Sequence, residues 1–127
     1  MSGRGAARRG NLGLVDAADA LAQLMELSTE IVEVVTAGED GAPEAFTGCS
    51  PDRADELARA GLELVALAST GSPASRIQVE RAGGGLHVVV EEGRTAVATT
   101  VADATAGLVT HDLRAALRRS APGQVDA

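Results

Sequence analysis

The segment at residues 50–58, with the sequence SPDRADELA, constrains the fold of this chain more than any other, because it marks where a strand hairpin ends and a helix begins. Ser50 supplies an N-cap oxygen, and Pro51 fits the first helical position because it has no backbone N–H to leave unpaired. Asp52 and Asp55 place negative charge near the positive end of the helix dipole. The junction therefore predicts that a helix begins directly after Ser50, and it fixes the order of the elements on either side.

The residues before this junction predict a helix followed by two strands. Apolar residues recur at helical spacing over about residues 12–27, which is typical of a helix with one buried face. β-Branched residues predict a strand at 29–36, and a Gly-Glu-Asp-Gly turn leads into a second strand at about 42–47. Because Pro43 cannot donate a hydrogen bond to a neighbouring strand, we expect this second strand at an edge of the sheet.

The residues after the junction helix predict three strands and a last helix. The pattern at 76–81 alternates between apolar and polar residues, whereas 86–90 is apolar on both faces, as in a central strand. A fifth strand is predicted at 95–101. Either Asp103 or Thr105 can supply the N-cap of the last helix. The apolar residues of that helix are Leu108, Val109, Leu113, Ala116 and Leu117.

The predicted order is α-β-β-α-β-β-β-α, which indicates an α+β fold with a five-stranded antiparallel sheet and helices on both faces. We expect one domain over residues 12–119, a mobile basic tail at 1–11 and a frayed C-terminal tail at 120–127. The predicted buried face of the junction helix consists of Ala54, Leu57, Gly61, Leu64, Val65 and Ala68.

The charge and composition of the chain argue against nucleic-acid binding. All 11 basic residues are Arg, but Asp and Glu together number 18, so the formal net charge is −7. An acidic protein repels phosphates, and one Phe with no Trp or Tyr offers no platform for stacking bases. Arg4, Arg8 and Arg9 lie in a stretch without acids, which is either a solvated tail or an electrostatic tether to an acidic partner or an anionic lipid surface.

The cysteine count and the hydropathy pattern predict a soluble cytoplasmic protein. Cys49 is the single cysteine, so no internal disulfide can form and a reducing compartment is expected. The basic N-terminal residues are not followed by the apolar stretch of a secretory signal. No run of the chain approaches the ~20 consecutive apolar residues that span a membrane.

No residue pattern in the chain indicates catalysis, a metal site or a cofactor. The glycines at 83–85 precede a strand rather than a helix and lack a following Lys, so a hairpin turn is favoured over a phosphate loop. His87, His111 and Cys49 lack the local spacing of metal ligands or of a nucleophile with its base. Helix starts and turns explain the acidic pairs Asp52/Asp55, Glu91/Glu92 and Asp103/Asp112 without chemistry.

Three segments occur along the chain in a characteristic order. They are residues 50–58, then Val79-Glu80 leading into Gly84-Gly85-Leu86, then residues 103–109 with the sequence DATAGLV. Together they resemble the Roadblock (dynein light chain) domain family, most closely its actinobacterial members. The resemblance spans roughly residues 12–119 and matches the predicted order of elements. The chain departs from the family pattern at Pro43, which weakens the second strand, and at Leu86 and His87, where relatives often carry an aromatic residue.

The resemblance implies a non-enzymatic regulatory module that forms homodimers by pairing third strands, with the second helices packed across the two-fold axis. The expected dimer interface is Arg76, Ile77, Gln78, Val79 and Glu80, which agrees with an unpaired edge strand acting as a template for a second copy. The resemblance also implies regulation of a small Ras-like GTPase by reorganising the GTPase's own residues rather than by donating an arginine finger. Some relatives are encoded beside such a GTPase and a sensor-kinase-like protein.

Three hypotheses about function follow. The leading one is a homodimer that binds and modulates a small Ras-like GTPase through the outer side of the junction helix, where Leu62 is a large apolar residue among charges. The partner-binding residues are then Asp55, Arg59, Leu62, Glu63 and Ala66. An alternative is a dimeric scaffold subunit of a larger signalling assembly with no effect on nucleotide turnover. A third is a small-molecule sensor, which needs a pocket with convergent polar groups, and His87 is the one candidate for such a group.

Overall fold

The chain folds into a five-stranded antiparallel sheet with helices on both faces. The structure is a computed structural model, and it describes residues 15–120. The predicted α+β class and order of elements are confirmed. The elements are α1 (Ala17–Leu27), β1 (Ile31–Ala37), β2 (Pro43–Thr47), α2 (Pro51–Ala68), β3 (Arg76–Arg81), β4 (Gly84–Glu91), β5 (Arg94–Thr100) and α3 (Ala106–Arg119).

The strands lie side by side in the order β2-β1-β5-β4-β3, so β2 and β3 form the two edges of the sheet. Pro43 is therefore in an edge strand, as its missing N–H predicts. The turn between β4 and β5 consists of Glu92 and Gly93, with φ angles of 52° and 83°. Two consecutive positive φ angles are typical of the type I′ turn, whose twist matches that of the flanking strands. The predicted hairpin at the glycine run is also present, and it turns at residues 82–83.

The two faces of the sheet are covered unequally. Helices α1 and α3 pack together on one face, whereas α2 packs on the other. The fully buried residues Val34 and Val89 belong to the first face, and Val88 and Val97 belong to the second, because neighbouring strand residues point to opposite sides. Aliphatic side chains of Leu, Val, Ile and Ala fill both layers, as expected for a core without large aromatic residues.

The junction at the start of α2 has the predicted geometry. The Ser50 hydroxyl accepts a hydrogen bond from the backbone N–H of Arg53 at 3.1 Å, and Pro51 occupies the first helical position. Further along, Gly61 is buried against the sheet, and a Cβ at this position would collide with Cγ2 of Val97. Helix α2 therefore approaches the sheet closely because residue 61 has no side chain.

The first helix is shorter than its apolar period predicts. It begins at Ala17, because the Asp16 carboxylate accepts a hydrogen bond from the N–H of Asp19 at 2.9 Å and so caps the helix. Val15 lies outside the helix and forms a parallel bridge with Ser120. The rest of the predicted start, residues 12–14, lies outside the described residues, as does the predicted basic tail at 1–11.

Helix α3 is fixed at both ends by residues from elsewhere in the chain. Of the two predicted caps, Thr105 takes the N-cap position, but its side chain makes no capping bond. Its N–H instead donates to the Glu30 carboxylate at 2.9 Å. At the other end Ser120, predicted to lie in the frayed tail, is buried, and its hydroxyl accepts a hydrogen bond from Arg94 at 2.9 Å. The folded region thus includes Ser120, and the predicted tail beyond it lies outside the described residues.

Candidate interaction surface

The edge strand β3 carries the residues that the sequence predicts for a dimer interface. It pairs with β4 in a regular antiparallel register and has no strand on its outer side within residues 15–120. Arg76, Gln78 and Glu80 are exposed on one face of the strand, and the Gln78 amide donates to the Glu80 carboxylate at 2.6 Å. On the other face Ile77 is half-buried and Val79 is 37% exposed. The structure therefore leaves all five predicted interface residues accessible on one edge.

An apolar strip lies beside β3 on the face that α2 covers. Leu64, Val65, Ile77 and Leu86 all pack against the core cluster of this face but are only half-buried. Leu67, at the end of α2, is 75% exposed. We call Leu64, Val65, Leu67, Ile77 and Leu86 the apolar strip.

The C-terminal half of α2 is more exposed than its predicted buried face implies. The first turns follow the prediction, because Ala54, Leu57 and Gly61 are buried. Towards the C-terminus the helix is less covered, and Ala68 is exposed. Leu67 was not among the predicted surface residues, although it belongs to the unbroken apolar run at 64–68. Five consecutive apolar residues surround the helix on more than one side, so they cannot all lie on one buried face.

Four of the five predicted partner-binding residues form an exposed stripe on α2. Asp55, Arg59 and Glu63 follow each other at four-residue spacing, and Ala66 lies one turn further on. Leu62, in contrast, does not stand free among the charges as expected. It is half-buried over the turn between β1 and β2, where a Cβ on Gly41 would collide with its Cδ1. The exposed stripe is therefore polar, and Leu62 fixes the turn against α2.

A network of polar side chains holds the start of α2 against the sheet. The Arg53 guanidinium donates to Glu33 at 3.1 Å and to Glu56 at 3.3 Å, and the Thr99 hydroxyl donates to Glu33 at 2.8 Å. The hydrogen bond from Arg53 lowers the pKa of the Glu33 carboxyl below its ordinary value. For Cys49 close by, burial raises the pKa of the thiol, which disfavours the reactive thiolate. These contacts stabilise the junction and assemble no nucleophile.

The structure separates the residues that could have formed a catalytic or metal site. Cys49 packs against the core cluster under α2, whereas His87 lies on the opposite face of the sheet, directly across from Ala98. His111 is exposed on α3. Within residues 15–120, no three His, Cys, Asp or Glu side chains are placed to hold a metal ion. Of the acidic pairs, Glu91 is bonded to Arg114 and Arg118, and Glu92 lies in the turn after β4.

Comparisons with known proteins identify the fold. A Roadblock/LC7 domain from Streptomyces avermitilis superimposes with a TM-score of 0.74 at 19% identity, covering 82% of this chain and 93% of that domain. A second Roadblock/LC7 domain structure from the same organism gives 0.66 at 24% identity, covering 79% and 93%. Myxococcus xanthus MglB gives 0.69 at 14% identity, covering 81% and 83%. The chain thus has the fold of Roadblock/LC7 domains, as the sequence resemblance implies.

Neither a protein-family model nor a curated protein matches the sequence. Between residues 15 and 120, no helix combines the length and the apolar character that crossing a bilayer requires.

Proposed function

We propose that this chain, with its Roadblock/LC7 fold, is a non-enzymatic regulatory module that forms a homodimer and binds and modulates a small Ras-like GTPase. The observation that carries the proposal is the open edge at β3, which lies beside the half-covered apolar strip. An edge strand offers unpaired backbone groups to a second strand, and apolar surface next to it adds the burial that makes such pairing stable. Both features occur on the same side of this molecule.

The charges of β3 support pairing with a second copy of the same strand. If two β3 strands pair antiparallel about a two-fold axis at Gln78, Arg76 of one copy lies opposite Glu80 of the other, and the same pair recurs on the far side of the axis. Directly opposite residues share one face of a sheet, and opposite charges at such positions attract each other. Ile77 and Val79 then meet across the axis on the α2 face. The strand is therefore self-complementary in this register.

The outer stripe of α2 is the surface we assign to the GTPase. Asp55, Arg59 and Glu63 are exposed, and Arg59 forms no ion pair within the described part of the chain. In a homodimer whose α2 helices pack near the two-fold axis, two such stripes lie close together and present one continuous polar surface. The family resemblance supplies the partner class. The separation of Cys49 from His87 supports a role without chemistry of its own.

The test is a binding and turnover assay with the purified full-length protein and Ras-like GTPases of the same organism, loaded with GDP or with a GTP analogue. We expect binding in at least one nucleotide state and a changed rate of GTP hydrolysis or nucleotide exchange. Absence of binding in both states would contradict the proposal. Binding that changes neither rate would instead select the scaffold alternative.

A matched pair of variants distinguishes a positioning role from an arginine finger. Arg59→Ala should weaken GTPase binding about tenfold, whereas Arg118→Ala, which removes an exposed Arg from α3 on the other side of the sheet, should not. At saturating Arg59→Ala protein, the hydrolysis rate should recover. A loss of about a thousandfold or more that persists at saturation is the signature of a finger and would contradict positioning.

A further inference from the structure

The chain contains a single Phe and neither Trp nor Tyr, and the fold leaves this residue, Phe46, 38% exposed. Phe46 lies in β2, directly across from Val35 in β1, which is buried in the core cluster under α2. Residues directly opposite each other in a sheet point to the same face. The ring of Phe46 therefore lies on the side of the sheet that carries α2.

Helix α2 runs alongside β2 in the opposite direction. The helix begins at Pro51, shortly after β2 ends at Thr47. Further along the helix, Leu62 lies over Gly41, in the turn that precedes β2. The helix thus passes both ends of β2. Residues between Pro51 and Leu62 that share the side of Leu62 consequently lie beside this strand.

Two exposed charged residues of α2 share the side of Leu62. Asp55, Arg59 and Leu62 follow each other at spacings of four and three residues, which places them on one side of a helix. Asp55 and Arg59 therefore border β2, where Phe46 is exposed. We call Phe46, Asp55, Arg59 and Leu62 the β2–α2 surface.

Phe46 gives the outer stripe of α2 the apolar anchor that it otherwise lacks. Asp55, Arg59 and Glu63 are charged, and Leu62 is half-buried over the turn before β2. Protein interfaces are enriched in aromatic residues, and a few well-packed anchors within a polar rim contribute most of the binding free energy. An exposed phenylalanine beside a charged stripe has this composition.

The charges around the aromatic ring define the chemistry of the partner. Three exposed acids, Asp40 in the turn before β2 and Asp55 and Glu63 on α2, outnumber the base Arg59. A surface with an excess of negative charge attracts Lys and Arg on its partner. Pairing with an added strand is disfavoured here, because Pro43 and a register shift interrupt the pairing of β2. We therefore expect side chains, rather than an added strand, to make the contact.

We propose that the β2–α2 surface binds an apolar side chain that is flanked by Lys or Arg on the GTPase, with Phe46 as the anchor and Asp55 as the acidic contact. The partner is the GTPase of the proposed function, on which this assignment rests. Because β2 and β3 are opposite edges of the sheet, pairing through β3 leaves the β2–α2 surface open in each copy.

The experiment uses the fact that Phe46 is the single Phe of the chain. Full-length protein labelled with para-fluorophenylalanine gives one fluorine NMR signal, which is followed while the GTPase that binds the wild type is added. We expect a saturable shift of this signal. Its response to exchanging H₂O for D₂O should also decrease, because the ring leaves the water on binding. A signal that keeps its position and its solvent response at saturation would overturn the anchor while the proposed function stands. Absence of any GTPase that binds the wild type would overturn both.

A matched pair of variants measures the contribution of the ring. Phe46→Ala should raise the Kd for the GTPase at least about tenfold. Leu108→Ala should leave the Kd unchanged, because Leu108 is an exposed apolar residue of α3 on the other side of the sheet. Unchanged affinity in Phe46→Ala would overturn the anchor. The fluorine measurement needs no substitution at Phe46, so the test does not depend on the folding of this variant.

A second pair tests the charge of the partner. Asp55→Asn should raise the Kd about threefold and reduce its dependence on salt, because one attraction to a base is lost. Glu26→Gln, which removes an exposed acid from α1 on the opposite face, should change neither quantity. Wild-type affinity and salt dependence in Asp55→Asn would overturn the assignment of Lys or Arg to the partner.

Discussion

The sheet ends in two edge strands, β2 and β3, which differ in regularity, covering and chemistry. Strand β2 has Pro43 at its start, and a register shift in β1 disrupts its pairing between Thr36 and Ala37. Helix α1 packs on one of its faces and α2 on the other. Proline, a bulge and covering helices are all features that prevent an edge strand from pairing with another chain. For these reasons we call β2 the closed edge of the sheet.

Strand β3 has neither a proline nor a register shift, and α2 covers only one of its faces. Its register with β4 runs without a shift from Arg76 to Arg81, and α2 packs against it less extensively than against β5. Its charged residues Arg76 and Glu80 attract their counterparts on a second β3 in the register centred on Gln78, and they disfavour strands that place like charges opposite them. In the proposed dimer, charge on β3 therefore selects the partner strand, whereas the proline and the irregular backbone of β2 disfavour pairing with any strand.

The largest expected effect of a single substitution lies at the closed edge. The Glu44 carboxylate in β2 is nearly buried and accepts a hydrogen bond from the Arg94 guanidinium at 2.8 Å. Arg94 also donates to the carbonyl oxygens of Leu117 and Ser120, both at 3.0 Å. Glu44→Gln keeps the size of the side chain but removes the negative charge of a carboxylate that Arg94 binds. We expect a loss of about 3 kcal/mol in the free energy of unfolding, because the largely buried guanidinium then loses the carboxylate that it binds at 2.8 Å. Urea denaturation measures this loss.

The control for this prediction is an exposed ion pair. The Arg53 side chain is 46% exposed where it binds Glu33. Arg53→Met should therefore cost less than about 1 kcal/mol, since water and salt screen such pairs. Equal losses for Glu44→Gln and Arg53→Met would show that the ion pair at β2 has no special role. Glu44→Gln should also leave the proposed dimer intact, since β2 lies at the far edge from β3.

Reversing single charges on β3 should weaken the proposed dimer. Arg76→Glu places an acid opposite Glu80 of the second copy, and Glu80→Arg places a base opposite Arg76. Each change should raise the dimer Kd at least about tenfold, because like charges then face each other twice. The double variant restores opposite charges and should dimerise again, as should a mixture of the two single variants. Mass measurement in solution across a dilution series distinguishes these outcomes, and a monomeric wild-type protein would contradict the proposed dimer.

The element order and the β2 edge could be predicted from local signals, whereas the edge position of β3 was expected from the family resemblance. Pro43 marks an edge because proline lacks a donor, and the alternation at 76–81 marks a strand with two unlike faces. The Ser50 cap places the start of α2 for a similar reason, since capping depends on residues within one turn. In each of these cases the information lies within a few residues of the element it defines.

The contacts between distant segments could not be predicted in this way. The Glu30 carboxylate accepts a hydrogen bond from the N–H of Thr105, and Leu62 lies over Gly41, although many residues separate the members of each pair. The burial of His87 is a stronger case. It lies directly across from Ala98 on β5, a position that the order of the strands in the sheet decides. The face on which the histidine is buried depends on the register of β4, because a slip of one residue would move its side chain to the other face of the sheet.

The pH dependence of stability tests whether His87 is held neutral in the fold. Burial lowers its folded-state pKa below the ordinary value, and Glu80 on the neighbouring strand opposes this shift in part. Below a pH of about 6.5 the unfolded chain takes up a proton at His87 that the folded chain resists. This contribution to stability is thus complete above that pH and is lost as the pH falls. His87→Gln should reduce the loss measured between pH 7.5 and 5.5, whereas His111→Gln, at an exposed position, should not.

The smallest expected effect comes from opening the closed edge at a single position. Pro43→Val restores a backbone N–H on β2 and adds freedom to the unfolded chain, which should lower the free energy of unfolding by about 0.4–1 kcal/mol. The oligomeric state should not change, because the register shift beside Ala37 and the helices on both faces remain. Mass measurement in solution, at concentrations where the wild type is dimeric, checks this. Growth into chains of more than two copies would show that Pro43 alone closes the edge, and the contrast between β2 and β3 would then depend on one residue.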